Sequence, residues 1–277
     1  MIAIDQISTS SAQRLEGIFF DLDDTFLSEG KLSEDAYRAL FRLQESGLRL
    51  IALTGRPASW ARLIAQMWPL EGAVAENGAL GMQRINGRVR QIDFLPADRR
   101  LDHQNRLQRL VDETRRQLPT LVPSDDVQGR ISDFTFDIGE YERVDEKTIV
   151  QARALAAAHG AKTTLSSVHL HFTYDNTDKA VGALQYLRLQ GEDTTRSRST
   201  FAFIGDSQND APAFAAFKLG VGVKNLTGDF SIRPRYQSRF SASRGFCELA
   251  AHLVAQRESS ISTSTVEPQL KSPQKRG

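Results

Sequence analysis

The sequence contains little cysteine, little excess charge and no long apolar run. Cys247 is the only cysteine among 277 residues, which excludes an intramolecular disulfide and a zinc site built from cysteines. Lys and Arg total 35 against 34 Asp and Glu, so the net charge of +1 does not favour nucleic acid or an anionic membrane as the partner. No apolar run approaches the roughly 18 residues of a membrane span, and residues 1–16 lack the apolar core of a secretion signal. We therefore expect a soluble, cytoplasmic protein whose partner is a small molecule.

The first part of the chain alternates short apolar strands with amphipathic helices. Gly17–Phe20, Leu48–Leu53 and Ala73–Ala75 are predicted strands. A helix capped by Ser33 lies between the first two, and a second helix ends near Trp68. This order predicts an α/β fold with a parallel sheet that is covered by helices on both faces.

The pattern changes after residue 79 and then returns. Asn86-Gly87 predicts a hairpin, and the helices and strands that follow it form an α+β pattern. A strand at Phe201–Ile204 restores the parallel pattern, and residues 245–256 predict a last helix. We thus expect one domain interrupted by another, with the following parts: an N-terminal extension (1–15), a core (16–79 and 176–256), an inserted module (80–175) and a disordered tail (257–277).

Polar clusters follow the predicted strands of the core. The carboxyl ends of parallel strands lie at one edge of a sheet, where ligands bind. The clusters and the lysine that we expect at this edge are Asp21-Leu22-Asp23-Asp24-Thr25, Thr54-Gly55, Lys179 and Gly205-Asp206-Ser207-Gln208-Asn209-Asp210.

These residue types fit the transfer of a phosphoryl group. Asp21 and Asp206 offer carboxylates to Mg²⁺, and the chain turning at Asp23 offers a carbonyl oxygen. An aspartate can attack phosphorus and form an acyl phosphate, and a carboxyl two residues further on can act as acid and then as base. Thr54, the Gly55 amide and Lys179 are suited to hold the phosphoryl oxygens.

The same clusters resemble the four motifs of the haloacid dehalogenase-like hydrolase superfamily. The segments TGRPASW, AENGAL and IGDSQNDAP are similar to its Cof-like and sugar-phosphate phosphatase subgroup, over about residues 16–256. The resemblance implies a Rossmann-like core with an inserted cap of type IIB (C2B), and a Mg²⁺-dependent phosphatase acting on a small phosphate ester. It also implies roles for single residues, which are Asp21 as nucleophile and metal ligand, Asp23 as acid/base and metal ligand, Thr54 and Lys179 with Gly55 as phosphate-binding residues, Asp206 as metal ligand, Asp210 as its support and Asn209 as a phosphate contact.

Two other functions stay open on the same scaffold. One is phosphoryl transfer to a second substrate, as in a phosphotransferase or a phosphomutase. The other is an inactive binding module, although the presence of both Asp21 and Asp23 argues against it. Within the inserted module, we predict that specificity depends on polar side chains, which include His169, His171, Arg84, Arg88, Arg90, Arg130 and Arg143.

Overall fold

A computed structural model describes residues 1–166, 168–227, 230 and 232–263, and their side chains as far as residue 258. Two β-sheets and the helices around them form this part of the chain. The strands are β1 (Ile2–Ala3), β2 (Gly17–Phe20), β3 (Arg49–Leu53), β4 (Gly72–Ala75), β5 (Leu80–Ile85), β6 (Arg88–Asp93), β7 (Asp133–Asp137), β8 (Lys162–Leu165), β9 (His169–Thr173), β10 (Phe201–Gly205), β11 (Leu219–Gly222) and β12 (Tyr236–Gln237). The helices are α1 (Thr9–Arg14), α2 (Glu34–Glu45), α3 (Ala58–Met67), α4 (Ala97–Gln117), α5 (Glu146–Ala158), α6 (Lys179–Leu189), α7 (Thr194–Thr200), α8 (Ala211–Ala216) and α9 (Ala242–Thr263).

The larger sheet has nine strands in the order β1-β12-β11-β10-β2-β3-β4-β5-β6. Every pair from β1 to β4 is parallel, whereas β5 and β6 add an antiparallel hairpin at one edge. The predicted α/β fold with a mainly parallel sheet is therefore confirmed.

Helices cover both faces of this sheet because its central strands are apolar on both sides. In β2, Ile18 and Phe20 pack against one core, and Phe19 packs against the other. Helices α2, α3 and α9 cover the first face, and α6 and α8 cover the second. A strand that is buried on both faces reads as a continuous apolar run, as the segment Gly17–Phe20 does.

Helices α2, α5 and α6 each follow a residue whose side chain caps them, and one of these residues is the predicted Ser33. The side chains of Ser33 and Asp145 accept hydrogen bonds from the backbone amides of Ala36 and Thr148, at the starts of α2 and α5. Asp178 caps α6 in the same way, so that Lys179 becomes the first residue of that helix. The capping residue thus determines that Lys179 is the first residue of α6.

The hairpin at Asn86-Gly87 forms as predicted, but it pairs with the large sheet. Asn86 and Gly87 both have positive φ, which suits a two-residue turn of this kind. Strand β5 pairs with β4 in antiparallel orientation. The sequence pattern had grouped this hairpin with the inserted module at 80–175, because local alternation does not reveal the partner of a strand. The domain boundaries themselves stay a prediction.

The stretch between β6 and α6, residues 94–178, is called the insert below. Strands β7, β9 and β8 form a separate antiparallel sheet in that order. Leu170 and Phe172 of β9 point toward α4 and α5 and belong to a hydrophobic core of the insert's own. His169 and His171 alternate with them and therefore lie on the opposite face.

Both ends of the described chain are more ordered than the sequence indicated. Strand β1 pairs with β12, so the predicted N-terminal extension forms one edge of the large sheet. Helix α9 runs from Ala242 to Thr263, which is longer than the predicted 245–256 and includes the first part of the predicted tail. The rest of that tail, residues 264–277, lies outside the described residues. Within the described part of the chain, no helix combines the length and apolar character required to cross a bilayer.

Candidate active site

Three of the predicted polar residues lie at the carboxyl ends of adjacent parallel strands. Asp21 follows β2, Thr54 follows β3 and Asp206 follows β10, and these strands are neighbours in the sheet. All three side chains are buried. The structure therefore brings Asp206 to the same edge of the sheet as Asp21 and Thr54, although both precede it by more than 150 positions in the chain.

Lys179 joins this group from the start of α6. Its Nζ lies 2.7 Å from Asp21 Oδ1 and 2.5 Å from Asp210 Oδ1, and the lysine is 1% exposed. Burial alone would lower the pKa of Lys179, but the two facing carboxylates raise it above its usual value. Lys179 is therefore a fixed positive charge inside the site.

The carboxylates of Asp21, Asp206 and Asp210 each offer an oxygen within 4.8 Å of the others. Burial raises the pKa of Asp21 well above its usual value, although Lys179 opposes the shift. Burial, together with the charge of Asp210, raises the pKa of Asp206 to about 7. Crowded, buried carboxylates favour a bound cation, which stabilises their ionised forms. The donor set is all oxygen and therefore fits a hard divalent cation.

Both carboxylate oxygens of Asp210 accept hydrogen bonds from neighbouring groups of the protein. Its Oδ2 accepts hydrogen bonds from the amides of Asp206 and Ser207, at 2.9 and 3.1 Å, while Oδ1 receives Lys179. A Cβ on Gly205 would lie 2.4 Å from Asp210 Oδ2, so only glycine allows the carboxylate to fold back in this way. Asp210 is thus placed to orient Asp206, whose own carboxylate accepts a hydrogen bond from Thr25 Oγ1 at 3.1 Å.

Asp23 is separate from the three clustered carboxylates. Arg56 holds it by two nitrogens, with Nη2 2.6 Å from Oδ1 and Nε 2.9 Å from Oδ2. The guanidinium of Arg56 also lies 4.0 Å from the ring centre of Trp60. The sequence pattern gave no role to Arg56, because its contact with Asp23 depends on the fold. The predicted metal contact of Asp23 involves its carbonyl and stays a prediction.

The predicted phosphate-binding residues surround Asn77. Thr54 Oγ1 accepts a hydrogen bond from the Arg56 amide at 3.0 Å, which fixes the turn after β3. Asn77 Oδ1 lies 3.0 Å from where a Cβ on Gly55 would be, and it accepts a long hydrogen bond of 3.5 Å from Asn209 Nδ2. Asn77 has a φ of 54°, a left-handed conformation that asparagine tolerates. The segment AENGAL, which contains Asn77, supported the family resemblance but did not indicate that Asn77 lies beside Gly55.

The insert contributes Arg130, Asp133 and His171 next to these residues. Arg130 Nη1 donates to the Gly55 carbonyl at 3.1 Å and pairs with Asp133 Oδ1 at 3.0 Å. His171 Nδ1 lies 2.8 Å from Asp133 Oδ2. Burial alone would raise the pKa of Asp133, but Arg130 and His171 lower it below its usual value. Arg130 therefore contacts the predicted phosphate-binding turn at Gly55, and Asp133 connects His171 to Arg130.

The other predicted cations and His169 differ in their surroundings. Arg84 donates to the carbonyls of Ala65, Gln66 and Trp68 at the end of α3, so it has a structural contact there. His169 Nε2 lies 2.8 Å from Glu140 Oε2. The remaining predicted arginines, Arg88, Arg90 and Arg143, are exposed.

Comparison with known proteins agrees with this geometry. Residues 18–108 match the family model of the haloacid dehalogenase-like hydrolases. A haloacid dehalogenase-like hydrolase from Bacteroides thetaiotaomicron has a similar structure, with 17% identity, a TM-score of 0.66, and coverage of 86% of this chain and 99% of that one. BT1666 of the same organism, described among the phosphatases of this superfamily, gives 20% identity, a TM-score of 0.61, and coverage of 87% and 96%.

A protein related to trehalose-6-phosphate phosphatase is similar as well, with 18% identity, a TM-score of 0.60, and coverage of 89% of this chain and 99% of that one. No curated protein matches the sequence. The family match spans the segment that contains Asp21, Asp23 and Thr54, and the likeness in fold covers 86% of the chain. Over residues 18–108 the sequence is therefore similar to the haloacid dehalogenase-like hydrolases, and the fold is similar to that of a solved structure of this class.

Proposed function

We propose that this protein is a Mg²⁺-dependent phosphatase that hydrolyses a small phosphate monoester, a sugar phosphate in particular, through an aspartyl phosphate on Asp21. The observation that carries the proposal is the position of the buried Asp21 carboxylate, at the end of β2, between the Lys179 ammonium and Asp206. Two proteins of similar structure support it, one described among phosphatases and one related to trehalose-6-phosphate phosphatase.

Asp21 and Asp206 would hold the metal, and Asp210 would orient Asp206. When bound, Mg²⁺ would neutralise the negative charge that develops on the phosphoryl oxygens. Lys179 already supplies one positive charge beside Asp21, at 2.7 Å. The ammonium of Lys179 balances only part of the negative charge of the three carboxylates. A divalent cation would balance the rest.

The proposed reaction has two steps. In the first, an oxygen of Asp21 attacks phosphorus, the bond from phosphorus to the ester oxygen breaks, and Asp23 gives its proton to the leaving alcohol. In the second, water attacks the phosphorus of the acyl phosphate while Asp23 takes a proton from it, and inorganic phosphate leaves with Asp21 restored. Arg56 contacts both oxygens of Asp23 and so sets the orientation of that carboxylate.

Four groups would hold the transferred phosphoryl group during both steps. Thr54 and the Gly55 amide lie at the end of β3, while Lys179 and Asn209 approach from α6 and from the turn after β10. Preorganised donors of this kind stabilise the charge that spreads over the phosphoryl oxygens, without reorganisation during the reaction.

The insert would recognise the leaving group. Arg130, Asp133 and His171 form a connected polar set beside Gly55. Such groups match a hydroxylated leaving group, since a substrate that lacks a partner for them leaves them desolvated and unpaired. This favours a sugar phosphate over an apolar ester.

The test is a phosphate-release assay over a panel of sugar phosphates and p-nitrophenyl phosphate, with Mg²⁺ and with a chelator. We expect release that requires Mg²⁺ and is lost in Asp21→Asn, because the amide cannot form the acyl phosphate. Asp24→Asn is the matched control, since Asp24 is an exposed aspartate in the same turn. It should retain activity.

Two outcomes would contradict the proposal. If no substrate of the panel releases phosphate above the chelated control, the chain is not a phosphatase of this class. If Asp21→Asn turns over at a rate near that of the wild type, the covalent step is wrong. Transfer of the phosphoryl group to an added sugar, in place of release, would identify the phosphotransferase alternative.

A further inference from the structure

Glu76 is a buried carboxylate that none of the proposed reaction steps uses. It follows β4 directly, is 3% exposed and has a φ of 51°. Its Oε1 accepts hydrogen bonds from the amides of Ala58 and Ile131, both at 3.0 Å. Its Oε2 accepts from the amide and from the hydroxyl of Ser132, both at 2.6 Å. One side chain of the core therefore binds two consecutive residues of the insert.

Residues 129–132, called the docking loop below, contact the core at two further points. Gly129 lies against α3 so closely that an added Cβ would be 2.1 Å from Ser59 Oγ. Arg130 donates to the Gly55 carbonyl at 3.1 Å. Glu76 is thus one of three contacts that hold this loop against the core beside the predicted phosphate-binding turn.

The docking loop leads directly to the polar set beside Gly55. Arg130 lies within it, and Asp133 follows it as the first residue of β7. Asp133 contacts both Arg130 and His171. The position of these three side chains relative to Asp21 therefore depends on where the docking loop sits.

We propose that Glu76 is a positioning residue, which holds the docking loop against the core and thereby places Arg130, Asp133 and His171 over the site. The inference rests on the proposed function for its catalytic consequence. All groups that contact the Glu76 oxygens are donors, namely three backbone N–H groups and one hydroxyl. An ionised carboxylate accepts a hydrogen bond from each of these donors. In glutamine, the NH₂ group would replace one of the two oxygens and would face two donors from which it cannot accept a hydrogen bond.

Glu76→Gln tests the proposal, and Glu248→Gln is its matched control. Glu248 also accepts hydrogen bonds from a backbone amide (Arg239, 2.8 Å) and a serine hydroxyl (Ser238, 2.6 Å), but it joins α9 to the end of β12 and not to the insert. Ser132→Ala is a milder second variant, which removes one donor and keeps the backbone contacts.

The first measurement is hydrogen–deuterium exchange of the peptide that covers the docking loop, which needs no substrate. We expect exchange to be about tenfold faster in Glu76→Gln, a smaller increase in Ser132→Ala and no increase in Glu248→Gln, because a lost buried hydrogen bond promotes local opening. Unchanged exchange in Glu76→Gln would overturn the proposal, whether or not the chain is a phosphatase.

The second measurement compares KM and kcat on the best panel substrate and on p-nitrophenyl phosphate. In Glu76→Gln we expect KM for the best substrate to rise about tenfold, while kcat on p-nitrophenyl phosphate changes less than about twofold, since only the leaving-group contacts are displaced. Equal losses on both substrates would mean that Glu76 acts on the whole fold, which overturns the positioning role. Absence of activity in the wild type would refute the proposed function alone, and the exchange data would still decide whether Glu76 holds the loop.

Discussion

Replacement of Lys179 by methionine should destabilise the fold strongly at neutral and higher pH. The ammonium is 1% exposed and lies 2.7 Å from Asp21 and 2.5 Å from Asp210, so its loss leaves two buried carboxylates without their counter-charge. Breaking a buried ion pair costs roughly 3–5 kcal/mol. A domain has a total free energy of unfolding of about 5–15 kcal/mol, so a loss of this size is easily measured.

The size of this loss should depend on pH in a defined direction. Burial already raises the pKa of Asp21 in the folded protein, and removing Lys179 takes away the group that opposes this shift. The folded variant therefore binds more protons than its unfolded chain above the usual aspartate range, so its stability falls as the pH rises. The pKa of Lys179 in the folded wild type is raised, so the lysine keeps its stabilising charge throughout the range from pH 5 to 8. The deficit should thus be largest at pH 8 and smaller at pH 5.

Urea unfolding followed by circular dichroism at pH 5, 6.5 and 8 measures this deficit. The double variant Lys179→Met/Asp210→Asn removes one carboxylate together with the ammonium, and it should recover a large part of the loss at pH 8. A deficit below about 1 kcal/mol at pH 8, or one that grows as the pH falls, would refute the electrostatic reasoning.

Two further variants test packing, one within the core and one where the insert joins it. Gly182→Ala should destabilise the fold by roughly 1–3 kcal/mol, because its Cβ would lie 2.2 Å from the Gly78 backbone; an unchanged melting temperature would show that the two segments can separate at no cost. Arg100→Met should cost roughly 3 kcal/mol in urea unfolding, because it leaves the buried Asp175 and the partly buried Asp93 without the arginine that pairs with both; a loss below about 1 kcal/mol would contradict this.

The candidate site could be predicted to the extent that it depends on strand ends. An apolar run directly precedes each of Asp21, Thr54 and Asp206. Because the carboxyl ends of parallel strands meet at one edge of a sheet, this pattern was enough to predict that the three residues lie close together. Arg56 and Glu76 were missed because their partners, Asp23 and the docking loop, are distant in sequence. Nothing in a local pattern distinguishes a buried glutamate with four donors from a solvated one.

The fold was predictable where periodicity or capping is strong, and it was missed where elements are short. The strands at Ile2–Ala3 and Tyr236–Gln237 have two residues each, too few to show an alternating pattern. The last helix continues to Thr263 through a polar stretch whose composition alone suggested a tail. The hairpin at Asn86-Gly87 was found, but its pairing with β4 is a tertiary contact.

The two ends of the insert are close together. Thr177 Oγ1 donates to the Gly78 carbonyl at 3.0 Å, and Arg100 joins Asp93, the last residue of β6, to Asp175, near the start of α6. An insertion whose ends meet in this way can be exchanged for a longer, shorter or unrelated one without moving the strands beside it. The architecture thus separates two kinds of change. Under the proposed function, the large sheet and α6 would keep one reaction constant, while replacement of the insert would give that reaction a new substrate.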